Sequence, residues 1–405
     1  MRSFPAALLL PLLLSSPLQA DEPSEVAAYQ DENFALIEKA AGRGDPAAQY
    51  RLGSLYLVGK AVEQDDAKAA LWLAKSAKQG YAPAQNRLGA LYLGGYAVAR
   101  NESEALRWFS KAAGQGLAEA QRNLAALYAS GAGLDLGASR RWYEKAAAQG
   151  DAESQYQLGR FDQEGRAGKP DRAGAKSWFA KAAAGGHAGA QLALADLLAA
   201  GGDDAGALTW LKRAADLSHV PAQARLAEVY EEGRGTPKDP AEAWRLWQEA
   251  AAGGVPRAQV RAGQAYQLGL FGLDLDPARA AKWYRRAAEQ GEPRAAYALA
   301  RLIRAGDAKS LDAGEAGLWI QKAALQGLPE AQHDLGLMYQ NGSDGVNADR
   351  VKACAWLSLA AEQGDLEDRA SLDALKSSLN GEELGRVVEE MGRDRASKPA
   401  RPARP

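Results

Sequence analysis

The sequence predicts an all-α fold, an α-solenoid of tandem antiparallel helix pairs, on three observations. The segment "WYEKAAAQG", residues 142–150, returns in altered form from Trp72, Trp108, Trp178, Trp283, Trp319 and Trp356. Four landmarks (Gln, Gly, Asx and a large apolar residue) recur in fixed order nine times, and a second Gly or Ser closes each unit. Only one of the spacings between them varies. Such self-similarity marks an array whose units bury their apolar faces on one another.

Residues 1–20, "MRSFPAALLLPLLLSSPLQA", read as a secretory signal peptide, with Arg2, an apolar run from Phe4 to Leu14 and cleavage before Asp21. That run is about half the ~20 residues that span a bilayer, so no transmembrane anchor is expected. The expected location is the periplasm, with secretion as the alternative. Residues 21–44, ending "LIEKAAGRG", form an N-terminal half repeat.

Nine repeats fill residues 45–364. The Gln of each "AQ" pair (Gln49, Gln85, Gln121, Gln155, Gln191, Gln223, Gln259 and Gln332, with Ala296 as the exception) is followed ten residues on by a Gly. The Asx residues are Asp65, Asn101, Asp135, Asp171, Asp203, Asp239, Asp276, Asp312 and Asp349. Seven residues later stand Trp72, Trp108, Trp142, Trp178, Trp210, Leu246, Trp283, Trp319 and Trp356. Asx caps the first turn of a helix, and Gly in the left-handed conformation ends one. Each unit is therefore helix A, a hinge, a capped helix B and a joint. The Gly-to-Asx hinge alone changes length, with steps of 6, 6, 4, 6, 2, 6, 7, 6 and 7. A change at the joint would rotate every later repeat, so variation is confined to the hinge.

Helix A carries a tiny residue at one register, such as Gly53, Gly89, Gly159, Gly263 and Gly336, which lets helix B approach closely. The eight tryptophans are expected as the large core side chains of helix B, filling volume that the alanines leave open. Trp244 is off register and is expected in a different environment. Residues 365–391 read as a last helix A plus a capping helix with a polar outer face. Residues 392–405, basic and Pro-rich, read as a disordered tail.

This pattern, "AQYRLGSLYLVG…D…A..WLAKSAKQG", resembles the Sel1-like repeat, a relative of the tetratricopeptide repeat, across about residues 24–391. The resemblance implies a right-handed superhelix with helix A lining a concave groove that holds proteins or extended ligands. It also implies, for an exported chain, roles in exopolysaccharide secretion, adhesion, invasion or regulation of cell-wall enzymes. A disulfide-rich branch of the family binds or hydrolyses β-lactams, but this chain has one cysteine, Cys354, so that activity transfers poorly.

With 47% hydrophobic and 25% charged residues and a net charge of −2, the chain can bury a core and has no field directed at nucleic acid. There is no Ser-x-x-Lys, His-Glu-x-x-His or phosphate loop. His187, His219 and His333 are far apart in sequence. His187 and His219, at equivalent sites after the joint Gly or Ser, read as solvent-exposed turn residues rather than metal ligands, and Cys354 as a buried small side chain. No catalytic, cofactor-binding or metal residue is expected.

The groove positions offer Tyr156 and Arg160 in the fourth repeat, Glu228 and Glu231 in the sixth, and Arg257, Arg294, Arg301 and Arg304 around the eighth. The four arginines are expected to converge on one basic stretch. The expected function is a non-enzymatic, monomeric scaffold that docks cell-envelope proteins. The alternatives are a cell-wall or β-lactam hydrolase and a polysaccharide-binding protein.

Overall fold

A computed structural model describes residues 34–59, 61–131, 133–307, 314–363 and 369–397. The expected signal peptide and the Asp312 cap lie outside these residues. The described residues contain 21 helices and no strand. The first, α1 (Phe34–Gly42), is the second half of a repeat. Four A–B pairs follow: α2 (Pro46–Val58) and α3 (Asp66–Lys78), α4 (Ala82–Gly94) and α5 (Glu102–Gly114), α6 (Ala118–Ser130) and α7 (Leu136–Ala148), α8 (Ala152–Glu164) and α9 (Arg172–Ala184). The fifth repeat contributes α10 (Ala188–Ala200) and α11 (Asp204–Asp216). Then come α12 (Val220–Glu232) with α13 (Pro240–Ala252), α14 (Pro256–Leu268) with α15 (Pro277–Glu289), α16 (Pro293–Arg304) with α17 (Glu315–Leu325), and α18 (Pro329–Asn341) with α19 (Arg350–Glu362). The chain closes with α20 (Arg369–Ser377) and α21 (Gly381–Ser397). It divides into two compact units at Gly202–Asp203, so the shortest hinge is the boundary between them.

Every described Asx of the register accepts a backbone N–H at the start of its helix B, as Asp65 does from Lys68 and Asn101 from Glu104. A second tie explains the variable hinge. The N–H of the cap residue donates to a carbonyl near the end of helix A: Asp65 to Tyr56 at 3.0 Å, Asn101 to Tyr92 at 2.8 Å, Asp276 to Tyr266 at 2.8 Å and Asp349 to Tyr339 at 2.8 Å. The hinge is thus an excursion between two points already fastened together, and its length is free. Gly59, Gly95, Gly165, Gly233, Gly269 and Gly342 end their A helices with φ between 65° and 76°. Gly131 and Gly201, in the shortened hinges, do not take up that conformation.

The expected core role is corrected for five of the eight tryptophans, Trp72, Trp142, Trp178, Trp210 and Trp283. The fully buried side chain of helix B is the next residue: Leu73, Phe109, Phe179, Tyr284 and Ile320 are all within 1% of complete burial. It sits on the tiny residue of helix A. A Cβ on Gly89 would lie 2.8 Å from the Phe109 ring, and one on Gly159 2.5 Å from the Phe179 ring. Trp72, Trp142, Trp178, Trp210 and Trp283 are only partly buried, whereas Trp108, Trp319 and Trp356 are buried. The tryptophan is turned about 100° around the helix from the seat that its neighbour fills. It packs instead at the joint between the preceding helix B and its own helix A. Trp72 lies against Ile37, Ala41, Ala48 and Leu52, and Trp108 against Leu73, Ala77, Ala84 and Leu88.

In the repeats that carry both glutamines, the pair forms a second joint. Gln49, Gln85, Gln121 and Gln259 each donate to a carbonyl of the preceding helix B, at 3.1–3.3 Å. Each accepts from the Gln that ends its own helix B: Gln79, Gln115, Gln149 and Gln290, at 2.7–2.8 Å. One buried amide therefore fastens three helices.

At the C-terminal end Leu372, Leu375, Leu379 and Val387 cover Ala353, Cys354 and Leu357. Asn380 and Glu383 bond reciprocally, each to the other's backbone N–H at 2.9 Å, starting α21 with a capping box. That helix runs to Ser397, past the tail boundary expected at Met391, and residues 398–405 lie outside the described residues. Its outer face is not wholly polar, since Leu384 and Val388 are 39% and 69% exposed.

Candidate functional site

In the first unit Tyr156, on α8, stacks on His187 with ring centroids 4.5 Å apart and tilts against Phe179. Burial pushes its hydroxyl pKa up. His187 is not an exposed turn residue, as the sequence suggested. Its Nδ1 accepts from the N–H of Ala190 at 3.0 Å and caps α10. The other ring nitrogen, Nε2, must then carry the proton, and it bonds Glu153 Oε2 at 2.9 Å. Gln157 donates to the other Glu153 oxygen at 2.6 Å. With both ring nitrogens committed, the His187 imidazole has no lone pair to offer as a general base. Arg160 turns to Glu164 at 2.8 Å. A buried amide pair that no motif pointed to, Asn123 Nδ2 to Asn86 Oδ1 at 2.9 Å, joins α6 to α4.

In the second unit the A helices are stitched by ion pairs. Glu228 accepts from Arg225 and Arg257, each at 2.7 Å. Glu231 accepts from Trp247 Nε1 at 3.0 Å and from Arg261. Trp244 has the separate environment expected of it. It stacks on Phe271 with centroids 5.5 Å apart and meets Tyr266 edge-on. Phe271 lies in a 3-10 turn (Leu270–Gly272) at φ 57°.

A groove opens over α16 and α18, lined by Tyr297, Arg301, Arg304, Pro329, Glu330, His333, Asp334 and Leu337. The convergence of four arginines is not what the structure shows. Arg257 is held by Glu228, and neither it nor Arg294 lines this groove. Arg304 bridges Asp334 at 2.9 Å and Asp344 at 2.8 Å. Burial, with Asp334 beside it, pushes the Tyr297 hydroxyl up to about 12. Arg301 and Glu330 remain exposed and without an ion-pair partner among the described residues. The groove is therefore of mixed sign rather than basic, because the next repeat supplies carboxylates one helix away.

Among the described residues there is no cluster of His, Cys, Asp or Glu fit to hold a metal. No described helix is long and apolar enough to cross a membrane. Cys354 is buried, which raises its thiol pKa.

A family model described as "Sel1 repeat" matches nine successive segments: 46–81, 82–117, 118–151, 152–187, 188–219, 220–255, 256–292, 293–328 and 329–365. The chain is similar to the crystal structure of a protective antigen present in uropathogenic Escherichia coli strains and displaying an SLR fold. That match has 26% identity and a TM-score of 0.61, over 91% of this chain and 95% of the other. It is also similar to a Sel1 repeat protein from Oxalobacter formigenes, with 29% identity and a TM-score of 0.53, over 59% of this chain and 96% of the other. No curated protein matches.

Proposed function

The chain belongs to the Sel1 repeat family, and on that premise we propose that it is a non-enzymatic scaffold of the cell envelope that docks a partner protein over α16 and α18. The observation that carries this reading is the groove itself. One exposed cation, Arg301, and one exposed anion, Glu330, flank Tyr297, Pro329 and Leu337. Two unpaired charges of opposite sign around an apolar floor complement a polypeptide segment better than a ligand of uniform charge. An exposed pair gains little, under about 1 kcal/mol, so the partner must cover the groove and exclude water from it. The leader-like residues 1–20 support export.

The test is a photo-crosslinking side chain in place of Leu337 in cells that produce the full chain. One envelope protein should be captured, and Arg301→Glu should abolish the adduct. An adduct that survives the reversal at physiological salt would move the docking site elsewhere. A mature N-terminus at Asp21 in the periplasmic fraction would support export. Turnover of a β-lactam or of peptidoglycan, traced to a named residue, would overturn the non-enzymatic reading.

A further inference from the structure

The tryptophans of the first unit carry a feature on the opposite helices from the groove. Each has a lysine laid over its ring, three residues on. Lys75 lies 4.1 Å from the Trp72 centroid, Lys111 4.6 Å from Trp108, Lys145 3.9 Å from Trp142 and Lys181 4.2 Å from Trp178. All four lysines are exposed, and none forms an ion pair among the described residues. They occupy one register on four successive B helices.

The seat matters as much as the charge. An indole face attracts an ammonium without neutralising it. It therefore orders a side chain that would otherwise lose considerable rotamer freedom on binding a ligand. The surrounding helices add to the field, since α3, α5, α7 and α9 carry eleven basic and four acidic residues. The second unit interrupts the row: Arg213, Arg286 and Lys322 lie over Trp210, Trp283 and Trp319 at 4.8, 4.7 and 4.0 Å. Glu249 stands three residues after Leu246 at the same register and Leu359 three after Trp356, so no more than two successive repeats there carry the cation.

We propose that the B-helix face of the first unit binds an extended anionic polysaccharide, with Lys75, Lys111, Lys145 and Lys181 each meeting a carboxylate. Four like sites, one per repeat, fit a ligand whose charges also recur at a fixed interval, which an ordinary polypeptide does not offer. Lysine is a point charge on a pivoting stem and accepts a carboxylate from many directions, so no bidentate register is needed. Each indole lies beneath its own lysine and is not open as a platform for bases, which single-stranded nucleic acid binding uses. This surface is independent of the groove over α16 and α18, and either can fail without the other.

The test is affinity electrophoresis of the full protein through gels containing polygalacturonate, with dextran as the neutral control. Retardation by polygalacturonate alone is expected, weakening as salt rises. Lys→Gln at positions 75, 111, 145 and 181 together should weaken binding roughly tenfold or more at ~50 mM salt. Lys→Arg at the same positions should retain it. Arg213→Gln, Arg286→Gln and Lys322→Gln, at the same register in the second unit, should change little. If the fourfold variant does not fold by circular dichroism, the four single variants decide: graded losses support the proposal, and unchanged retardation overturns it. Equal loss in the second-unit variant, or tighter binding to oligo-dT or to phosphatidylglycerol vesicles than to polygalacturonate, also overturns it.

Discussion

Gln115 donates its side-chain amide to Gln85 Oε1 across 2.7 Å, while Gln85 donates its own to the carbonyl of Ala77 at 3.1 Å. Gln85 is 4% exposed, whereas Gln115 is exposed and the Ala77 carbonyl also accepts the N–H of Gly80. Gln85→Leu would remove both side-chain bonds but leave Gln115 free to turn to water. The expected cost is about 1 kcal/mol, read as a loss in urea-unfolding free energy. A neutral result would show that the amide joint contributes nothing.

Phe179 and Trp178 separate seat from wedge. Phe179→Ala should cost about 3–5 kcal/mol, because it empties the space above Gly159 inside the repeat. Trp178→Ala should cost less, since its ring is only partly buried. Asp171→Ala should cost about 1 kcal/mol, through loss of the bonds from Ala173 and Gly174. An equal effect of the first two variants on chemical denaturation would refute the seat assignment.

Ser218 adopts φ 57° where most other joints have glycine. A side chain in that region costs roughly 1–2 kcal/mol, partly offset by the extra freedom glycine brings to the unfolded chain. Ser218→Gly should therefore raise the melting temperature slightly, and a lowered one would show that the hydroxyl has a compensating partner.

Glu153 gives a signed pH dependence. Burial opposes its charge, but bonds from His187 and Gln157, with Arg122 nearby, outweigh that and hold its pKa below the ordinary glutamate value. A carboxylate depressed in the folded state contributes stability above its unfolded pKa and loses it as pH falls through the folded one. The stability difference between wild type and Glu153→Gln should be largest near neutrality and shrink through the acid range. A difference independent of pH would count against this assignment.

Arg301 and Arg304 should behave differently although they share one helix face. Arg304→Glu sets a carboxylate against Asp334 and Asp344 and should lower the melting temperature. Arg301→Glu should leave it nearly unchanged. Equal shifts in differential scanning fluorimetry would place Arg301 in a structural network too.

Helix boundaries, caps and hinges were legible in the sequence because they are local. Asp65 caps through its own backbone neighbours, and Gly59 turns within one residue. The tiny register at Gly89 and Gly159 was legible too, as a demand for close approach. What sits on it was not, since Trp108 and Phe109 are adjacent, both are large, and only the rotation of helix B against helix A decides which ring faces inward. The candidate site divides the same way. Sequence placed Arg301 and Arg304 three apart on one face, but whether each is free depends on Asp334, thirty residues beyond Arg304 and one helix away. Charge is a property of a residue and can be read along the chain. Pairing is a property of two distant ones, and packing alone determined that Arg257 and Arg304 are engaged and Arg301 is not.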